Sequence, residues 1–382
     1  MNKHTRLFSK TLIGRLQVIF WLCILLFPIG VQAQNGPTLR FETISTDAGL
    51  SQATISTMLQ DRQGFMWFGT LDGLNKYDGY EFKVYKPDPD DPGSLSHNSV
   101  LSLHEDKAGA LWVGTDGGGL DRFNPTTETF THYRHNPDDP HSLSNNSIWT
   151  IYEDRAGTMW LGTNDGLNKF DPATETFITY RYRPEDPLGS DEDFVRAIFE
   201  DRAGNFWLGT NAGLINFDRA TGVFTAFRYN PADPHSLSDN HIVSINEGPD
   251  GVLFIGTFGG GLNKFDPTTQ SFTRYQYEPS RPGSLSDNTV WVIFKDSSDT
   301  LWLGTSKGLD KFDPETETFT AFQHNPTNTF SLSHDIVYSI YEDRTGILWV
   351  GTKQGGLSKL NPTAKSFALL QQNPLDPQNS LS

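Results

Sequence analysis

Cysteine is nearly absent. The chain of 382 residues carries one, Cys23, inside an apolar amino-terminal run and without the small residues before it that a lipoprotein signal would show. Past residue 33 there is no thiol, no disulfide and no cysteine metal site. Basic residues are scarce too: 30 Lys and Arg stand against 46 Asp and Glu, for a formal charge of −16. Such a surface repels phosphate backbones and anionic lipid, which argues against nucleic acid as a partner. Long apolar runs are missing except for "LQVIFWLCILLFPIGV", which is shorter than the ~20 residues a membrane span needs.

Residues 1–33 read as a secretory signal peptide. Lys3, Arg6, Lys10 and Arg15 form a basic lead without acids, the apolar run follows, and Val31, Gln32 and Ala33 give a small-residue cleavage pattern. An uncleaved anchor is the competing reading, and a full-length form would then be membrane-tethered. Cleavage after Ala33 takes the formal charge from −16 to −20 and leaves the mature chain periplasmic or extracellular.

What remains is rich in turn formers and rings: 35 Gly, 22 Pro and 13% aromatic residues point to many short strands joined by tight turns. The pair Gly-Thr recurs at Gly69, Gly114, Gly162, Gly209, Gly256, Gly304 and Gly351, at intervals of 45, 48, 47, 47, 48 and 47 residues. A period near 47 in a β-rich chain marks a propeller or solenoid. Trp67, Trp112, Trp160, Trp207, Trp302 and Trp349 precede six of these pairs, and the fifth copy has Phe254.

Each repeat parses into four strands, as in "NSIWTIYED" (A), "TMWLGT" (B), "GLNKFD" (C) and "TFITYRY" (D). The A to B link "EDRAG" has Asp first and Gly fourth, the pattern of a type I turn, and the C to D link "DPATET" has Pro at the second turn position. These acids are therefore read as turn formers. Four-stranded meanders need neighbours to bury their faces, so seven of them are expected to close a ring: an all-β, seven-bladed β-propeller of four-stranded antiparallel blades, spanning residues 39–372. An open solenoid of seven repeats is the alternative.

The repeats resemble the two-component regulator propeller repeat, through "EDRAGTMWLGTNDGLNKFDP" and copies such as "EDKAGALWVGTDGGGLDRFNP" and "EDRTGILWVGTKQGGLSKLNP", and through linkers such as "NPDDPHSLSNNSI". The resemblance runs from about Leu39 to Ser382. It implies a periplasmic ligand-binding sensor of a hybrid two-component system, often polysaccharide-responsive, followed in other members by a second propeller, a sandwich domain, a membrane helix and a kinase. This chain shows no phosphoacceptor histidine motif and no nucleotide-binding glycine box. Eight segments look like strand D, whereas sets of A, B and C number seven. Leu39 to Ser45 is therefore expected to close the ring as the outer strand of the seventh blade, which leaves "SFALLQQ" surplus and residues 373–382 as the lead-in to a further repeat. A truncated reading frame or the sensor part of a split system would fit that ending.

Antiparallel parity puts the D to A and B to C links at one end of every blade, and the long linkers make this the expected ligand face. Positions there differ from copy to copy. After Gly-Thr come Asp72, Asp116, Asn164 with Asp165, Asn211, Phe258, Lys307, and Lys353 with Gln354; the fourth position of strand A holds Ser56, Leu101, Trp149, Arg196, Val243, Trp291 and Tyr338. Flat rings with amides and cations suit a sugar. The expected site comprises Asp72, Asp116, Trp149, Asn164, Asp165, Arg196, Asn211, Trp291, Lys307, Tyr338 and Lys353, with no catalytic residue, metal or cofactor. The bland reading is that Trp149, Trp291 and Tyr338 pack between blades and Arg196 pairs with an acid. The expected ligand is an oligosaccharide or another small molecule. The expected signalling partner is a separate membrane kinase, a diguanylate cyclase, or the remainder of the same polypeptide. Two other functions stay open: an interaction scaffold favouring a basic partner, and a polysaccharide hydrolase or lyase using the rim carboxylates Asp72, Asp116 and Asp165. His132 and His135, the closest histidine pair, face apart on a strand and are not expected to hold a metal.

Overall fold

The computed structural model describes residues 39–182 and 193–361. The signal-peptide segment, "SFALLQQ" and the lead-in at 373–382 lie outside the described residues.

Strand β1 (Phe41–Ile44) precedes seven sets of four or three. They are β2–β5 (Ile55–Gln60, Met66–Thr70, Gly73–Tyr77, Phe82–Tyr85), β6–β9 (Val100–Glu105, Leu111–Thr115, Leu120–Asn124, Thr129–Tyr133) and β10–β13 (Ile148–Glu153, Met159–Thr163, Gly166–Asp171, Thr176–Tyr180). Next come β14–β17 (Val195–Glu200, Phe206–Thr210, Gly213–Asp218, Val223–Phe227) and β18–β21 (Ile242–Glu247, Leu253–Thr257, Leu262–Asp266, Ser271–Tyr275). The last are β22–β25 (Val290–Lys295, Leu301–Thr305, Gly308–Asp313, Thr318–Phe322) and β26–β28 (Val337–Glu342, Leu348–Thr352, Leu357–Leu360). Each set is one antiparallel sheet in chain order, and the seventh is completed as β1-β28-β27-β26. Phe41 lies opposite Leu360 and Ile44 opposite Leu357, so the amino-terminal strand closes the ring as expected. The first strand of each blade packs on the first strands of both neighbours, which puts β2, β6, β10, β14, β18, β22 and β26 around the axis.

The core is divided among the seven seams between blades. Trp67 and Leu74 of blade 1 pack with Val100, Leu111, Val113 and Phe123 of blade 2, and the pattern repeats until Trp349 and Leu357 of blade 7 meet Ile55, Met58 and Phe68 of blade 1. Each indole thus fills its neighbour's wedge: Trp67 meets Phe123 edge-on at 5.3 Å, Trp112 meets Phe170 at 5.3 Å and Trp207 meets Phe265 at 5.5 Å. The glycine of Gly-Thr is required by closeness. A Cβ at Gly69 would lie 2.7 Å from Val100 of the next blade, and one at Gly162 would lie 2.6 Å from the Val195 carbonyl oxygen. The threonine seals the following turn, its hydroxyl donating to the carbonyl of Gly73, Gly166 or Gly213 at 2.9 Å.

A buried indole N–H needs an acceptor. In six blades it donates to the first residue of the A to B turn: Trp67 to Asp61, Trp112 to Asp106, Trp160 to Asp154, Trp207 to Asp201, Trp302 to Asp296 and Trp349 to Asp343, at 2.8–2.9 Å. The other carboxylate oxygen accepts a backbone N–H of the same turn, as from Phe65 or Thr158. The acids are turn formers, as read from sequence, and also clasps for the tryptophans. In blade 5 both partners change together, to Gly248 and Phe254. With no indole N–H, a carboxylate there would be stranded, and a Cβ on Gly248 would sit 2.5 Å from the Phe254 ring.

A second latch ties the linker to strand C in six blades, and in blade 7 it runs from the Ser333 amide to the Ser358 hydroxyl at 3.0 Å. The Ser51, Ser144 and Ser238 amides donate to Asn75, Asn168 and Asn263, and those of Ser96 and Ser286 to Asp121 and Asp310. Asp121 lies opposite His132, whose ring bonds it at 2.6 Å, but Asp310 lies opposite Ala321 and one of its oxygens has no partner among the described residues. Burial accordingly pushes the Asp310 carboxyl up to about 6, from 3.8.

Two outcomes are expected. Trp112→Phe and Asp106→Ala should each cost about 1–3 kcal/mol in urea unfolding, and the double variant should lose less than their sum by about 1 kcal/mol; additive losses would contradict the clasp. Because the folded pKa of Asp310 exceeds its unfolded value, wild type carries no penalty below pH 3.8 and loses stability as pH rises through about 6. Asp310→Asn should therefore gain about 1–3 kcal/mol at pH 7 and almost nothing near pH 4, and an equal gain at both would contradict this account.

Candidate ligand-binding face

All seven inner strands break register at one position near the end that carries the B to C links. The shift falls between Ile55 and Thr57, Val100 and Ser102, Ile148 and Thr150, Val195 and Ala197, Ile242 and Ser244, Val290 and Val292, and Val337 and Ser339. The residues set out of the ladder are Ser56, Leu101, Trp149, Arg196, Val243, Trp291 and Tyr338. These are the seven that differ most among the copies. A bulge frees one residue from pairing and re-aims its side chain, and all seven are half-buried, so the ring presents seven side chains of six kinds at the same height.

Contacts join these residues across seams into two clusters. In blades 3 and 4 the Trp149 indole donates to Asn164 at 2.6 Å and packs on Phe194 at 5.2 Å. The Arg196 guanidinium lies over Trp149 at 4.5 Å and over Phe194 at 5.3 Å. In blades 5 to 7, Phe258 packs on Trp291 at 5.3 Å, Trp291 on Tyr338 at 5.1 Å, and the Trp291 indole donates to Ser306 at 3.0 Å. The aromatic residues do pack between blades, as the bland reading held, while remaining partly open to solvent. Its other half fails, since no carboxylate among the described residues pairs with Arg196. The Arg196 Nε has no hydrogen-bond partner there, and burial pushes its pKa down.

The other expected residues are differently placed. Asp165 accepts from the Arg181 Nε and Nη2 at 2.8 and 2.7 Å, and Asp72 is held by Lys86 at 2.6 Å. Asp116 accepts the Ser147 hydroxyl at 2.7 Å, and Lys307 faces Asp287 at 3.5 Å and the Tyr277 ring at 4.9 Å. Asn211 and Lys353 stand on the same B to C links, half-buried. The three rim acids offered for catalysis are thus each engaged by a basic or hydroxyl neighbour. Phe194 was missed, because its linker lacks the "SLS" pattern that aligns the other copies. Phe258 stood among the residues after Gly-Thr but outside the expected site.

Among the described residues no three His, Cys, Asp or Glu side chains gather as a metal site. His132 is bound to Asp121, and His135 bonds the Leu143 carbonyl at 2.6 Å. A cavity of about 650 Å3 opens on the opposite face, and one of about 430 Å3 beside the 135–144 linker; none of the eleven expected residues lines either.

The geometry defines a class: a closed seven-bladed propeller of one repeated blade, whose inner strands set unlike residues on one face. Six segments, residues 49–72, 94–117, 142–165, 189–212, 284–307 and 331–354, match the family model of the two component regulator propeller. The chain thus carries two component regulator propeller repeats, and the blade without a matching segment is blade 5, which has lost the clasp. It resembles the extracellular domain of a hybrid two component system from B. thetaiotaomicron, with a TM-score of 0.72 and 25% identity over 85% of this chain and 42% of that one. Histidine kinase P4 of Formosa agariphila is 43% identical over 68 residues, 18% of this chain and 5% of the kinase. The chain therefore spans less than half the length of either relative. Virginiamycin B lyase from Staphylococcus aureus shares the fold alone, with a TM-score of 0.60 and 15% identity over 84% of this chain and 99% of that one. Among the described residues no helix is long and apolar enough to cross a membrane.

A buried cation without a counter-ion is a stability cost. Arg196→Met, which keeps the contact with Trp149 and Phe194, should leave the unfolding free energy unchanged or raise it by about 1 kcal/mol. A loss above about 2 kcal/mol would mark Arg196 as structural instead.

Proposed function

We propose that this propeller is the extracytoplasmic, ligand-sensing input of a two-component system, and that its bulged face reads a carbohydrate. One observation carries the reading: at one height around the ring, where pairing requires nothing, the chain places two indoles, a phenol and a guanidinium. Exposed ring faces suit the C–H faces of a sugar, and the amide and hydroxyl groups beside them suit its hydroxyls. Arg196 favours a ligand that also bears an acidic group, since bound anion would neutralise it.

The family and the likeness to an extracellular domain support placement outside the cytoplasm, reached through the signal peptide at 1–33. The signal would pass to a kinase, either further along a longer polypeptide or in a separate membrane kinase or diguanylate cyclase. Engagement of Asp72, Asp116 and Asp165 by neighbouring side chains supports binding without turnover.

Trp149→Ala combined with Trp291→Ala should abolish retention on immobilised polysaccharides that hold the wild type, while circular dichroism and the melting transition stay those of a folded propeller. Unaltered retention would remove these residues from the site, and new reducing ends released by the wild type would overturn the non-enzymatic reading.

A further inference from the structure

The lower face, where the A to B turns lie, carries a ring of bridges between blades. The backbone N–H that follows the first turn residue donates to the side chain ending the next inner strand: Arg62 to Glu105, Lys107 to Glu153 and Arg155 to Glu200 at 2.9 Å, Arg202 to Glu247 at 3.2 Å, Ser297 to Glu342 at 2.6 Å and Arg344 to Gln60 at 2.9 Å. Long basic side chains then cross the seam. Arg62 reaches the carbonyls of Asp106 and Lys107, Lys107 those of Asp154 and Arg155, and Arg344 those of Asp61 and Arg62.

One seam of the seven breaks this pattern at every point. Between blades 5 and 6 the donor position is Pro249, which has no N–H and no cationic arm, and the acceptor position is Lys295. The clasp is gone as well, through Gly248 and Phe254. Here the cavity of about 650 Å3 opens, within the size range of small-molecule sites. Phe254, Leu301 and Phe312 give it an apolar lining, and Lys264 and Lys295 bring two ammonium groups, while that of Lys311 lies over the Trp302 ring at 5.7 Å.

The acids nearby do not fill the gap. Asp299 meets Lys295 at 3.2 Å but is 84% exposed, an ion pair of little strength. Asp313 is taken by its own turn, accepting from the Glu315 amide and the Thr316 hydroxyl. Glu317 meets Lys264 at 3.4 Å and also accepts the Tyr275 hydroxyl, and Asp250 stands on the rim. The seam thus has cations and an apolar lining where five of the other six have a glutamate.

We propose that the seam between blades 5 and 6 is a second ligand site, which takes a small organic anion: a carboxylate on a ring-sized body. The carboxylate supplies what Lys295 has displaced, drawing the ammonium of Lys295 from its exposed pair with Asp299, and the body covers Phe254, Leu301 and Phe312. This site is on the opposite face from the bulges and does not depend on the carbohydrate reading.

The test is calorimetry of the full chain, in a carboxylate-free buffer, with benzoate and glucuronate against benzyl alcohol and glucose. At least one of the two anions should bind and its neutral counterpart should not. Lys295→Glu, which restores the residue of five of the other six seams, should weaken that binding about tenfold or more, and Trp149→Ala with Trp291→Ala should leave it unchanged. If Lys295→Glu fails to fold, Lys264→Gln with Lys295→Gln carries the same expectation. Binding of neither anion, equal binding of the neutral partner, full affinity in the lysine variants, or loss in the tryptophan variant would each overturn the proposal.

Discussion

Closure is the constraint on which the rest depends. A wedge-shaped blade buries its apolar faces only between two neighbours, so a row of seven leaves two faces bare unless its ends meet. Pairing of β1 with β28 joins them. Phe41 is buried against Trp302, Leu332 and Leu360 at the seam between blades 6 and 7, and Trp349 reaches Phe68 of the first blade. Once the ring is shut, each inner strand is held by two others, and a register break near one end can be tolerated. Rigid closure and permissive bulges therefore belong to one design: the ring fixes where seven side chains stand and leaves open what they are.

Much of this was legible because it is encoded locally and repeated. A period near 47, Gly before Thr, and Asp-x-x-Gly turns specify strands and their order, and an unpaired count of outer strands identified Leu39 to Ser45 as the closing one. The clasp between Asp and Trp was visible in principle, since the two residues stand six apart in every copy that has either and vanish together in blade 5. It was read only as turn chemistry, because one aspartate supplies both acceptors. The bulges were not legible. The variability of Trp149, Arg196 and Trp291 marked the positions, but a register shift exists only once a strand is paired. Asp72 and Asp165 were read as ligand contacts because their partners Lys86 and Arg181 lie across a strand, beyond the motif that drew attention to them.

The departures from the repeat concentrate in blades 4 and 5. Blade 4 has lost the linker latch, with Ile215 at the position of Asn168 and Asn263, and its altered linker brings Phe194 beside Arg196. Blade 5 has lost the clasp and its bridge to blade 6, and a cavity stands there. In each case several residues that interact elsewhere change together. A loss of packing confined to one seam is affordable in a closed ring because the other six still hold it.

Closure itself can be tested by a cross-link, since the chain has no cysteine after Cys23. Glu42 and Lys359 lie opposite each other on β1 and β28. With both changed to cysteine, oxidation should join the two thiols within one molecule and raise the urea midpoint, as a bridge across so long a loop constrains the unfolded chain by about 5–6 kcal/mol. Thiols that stay free under oxidation, or a cross-link that forms only between molecules, would contradict the closed ring.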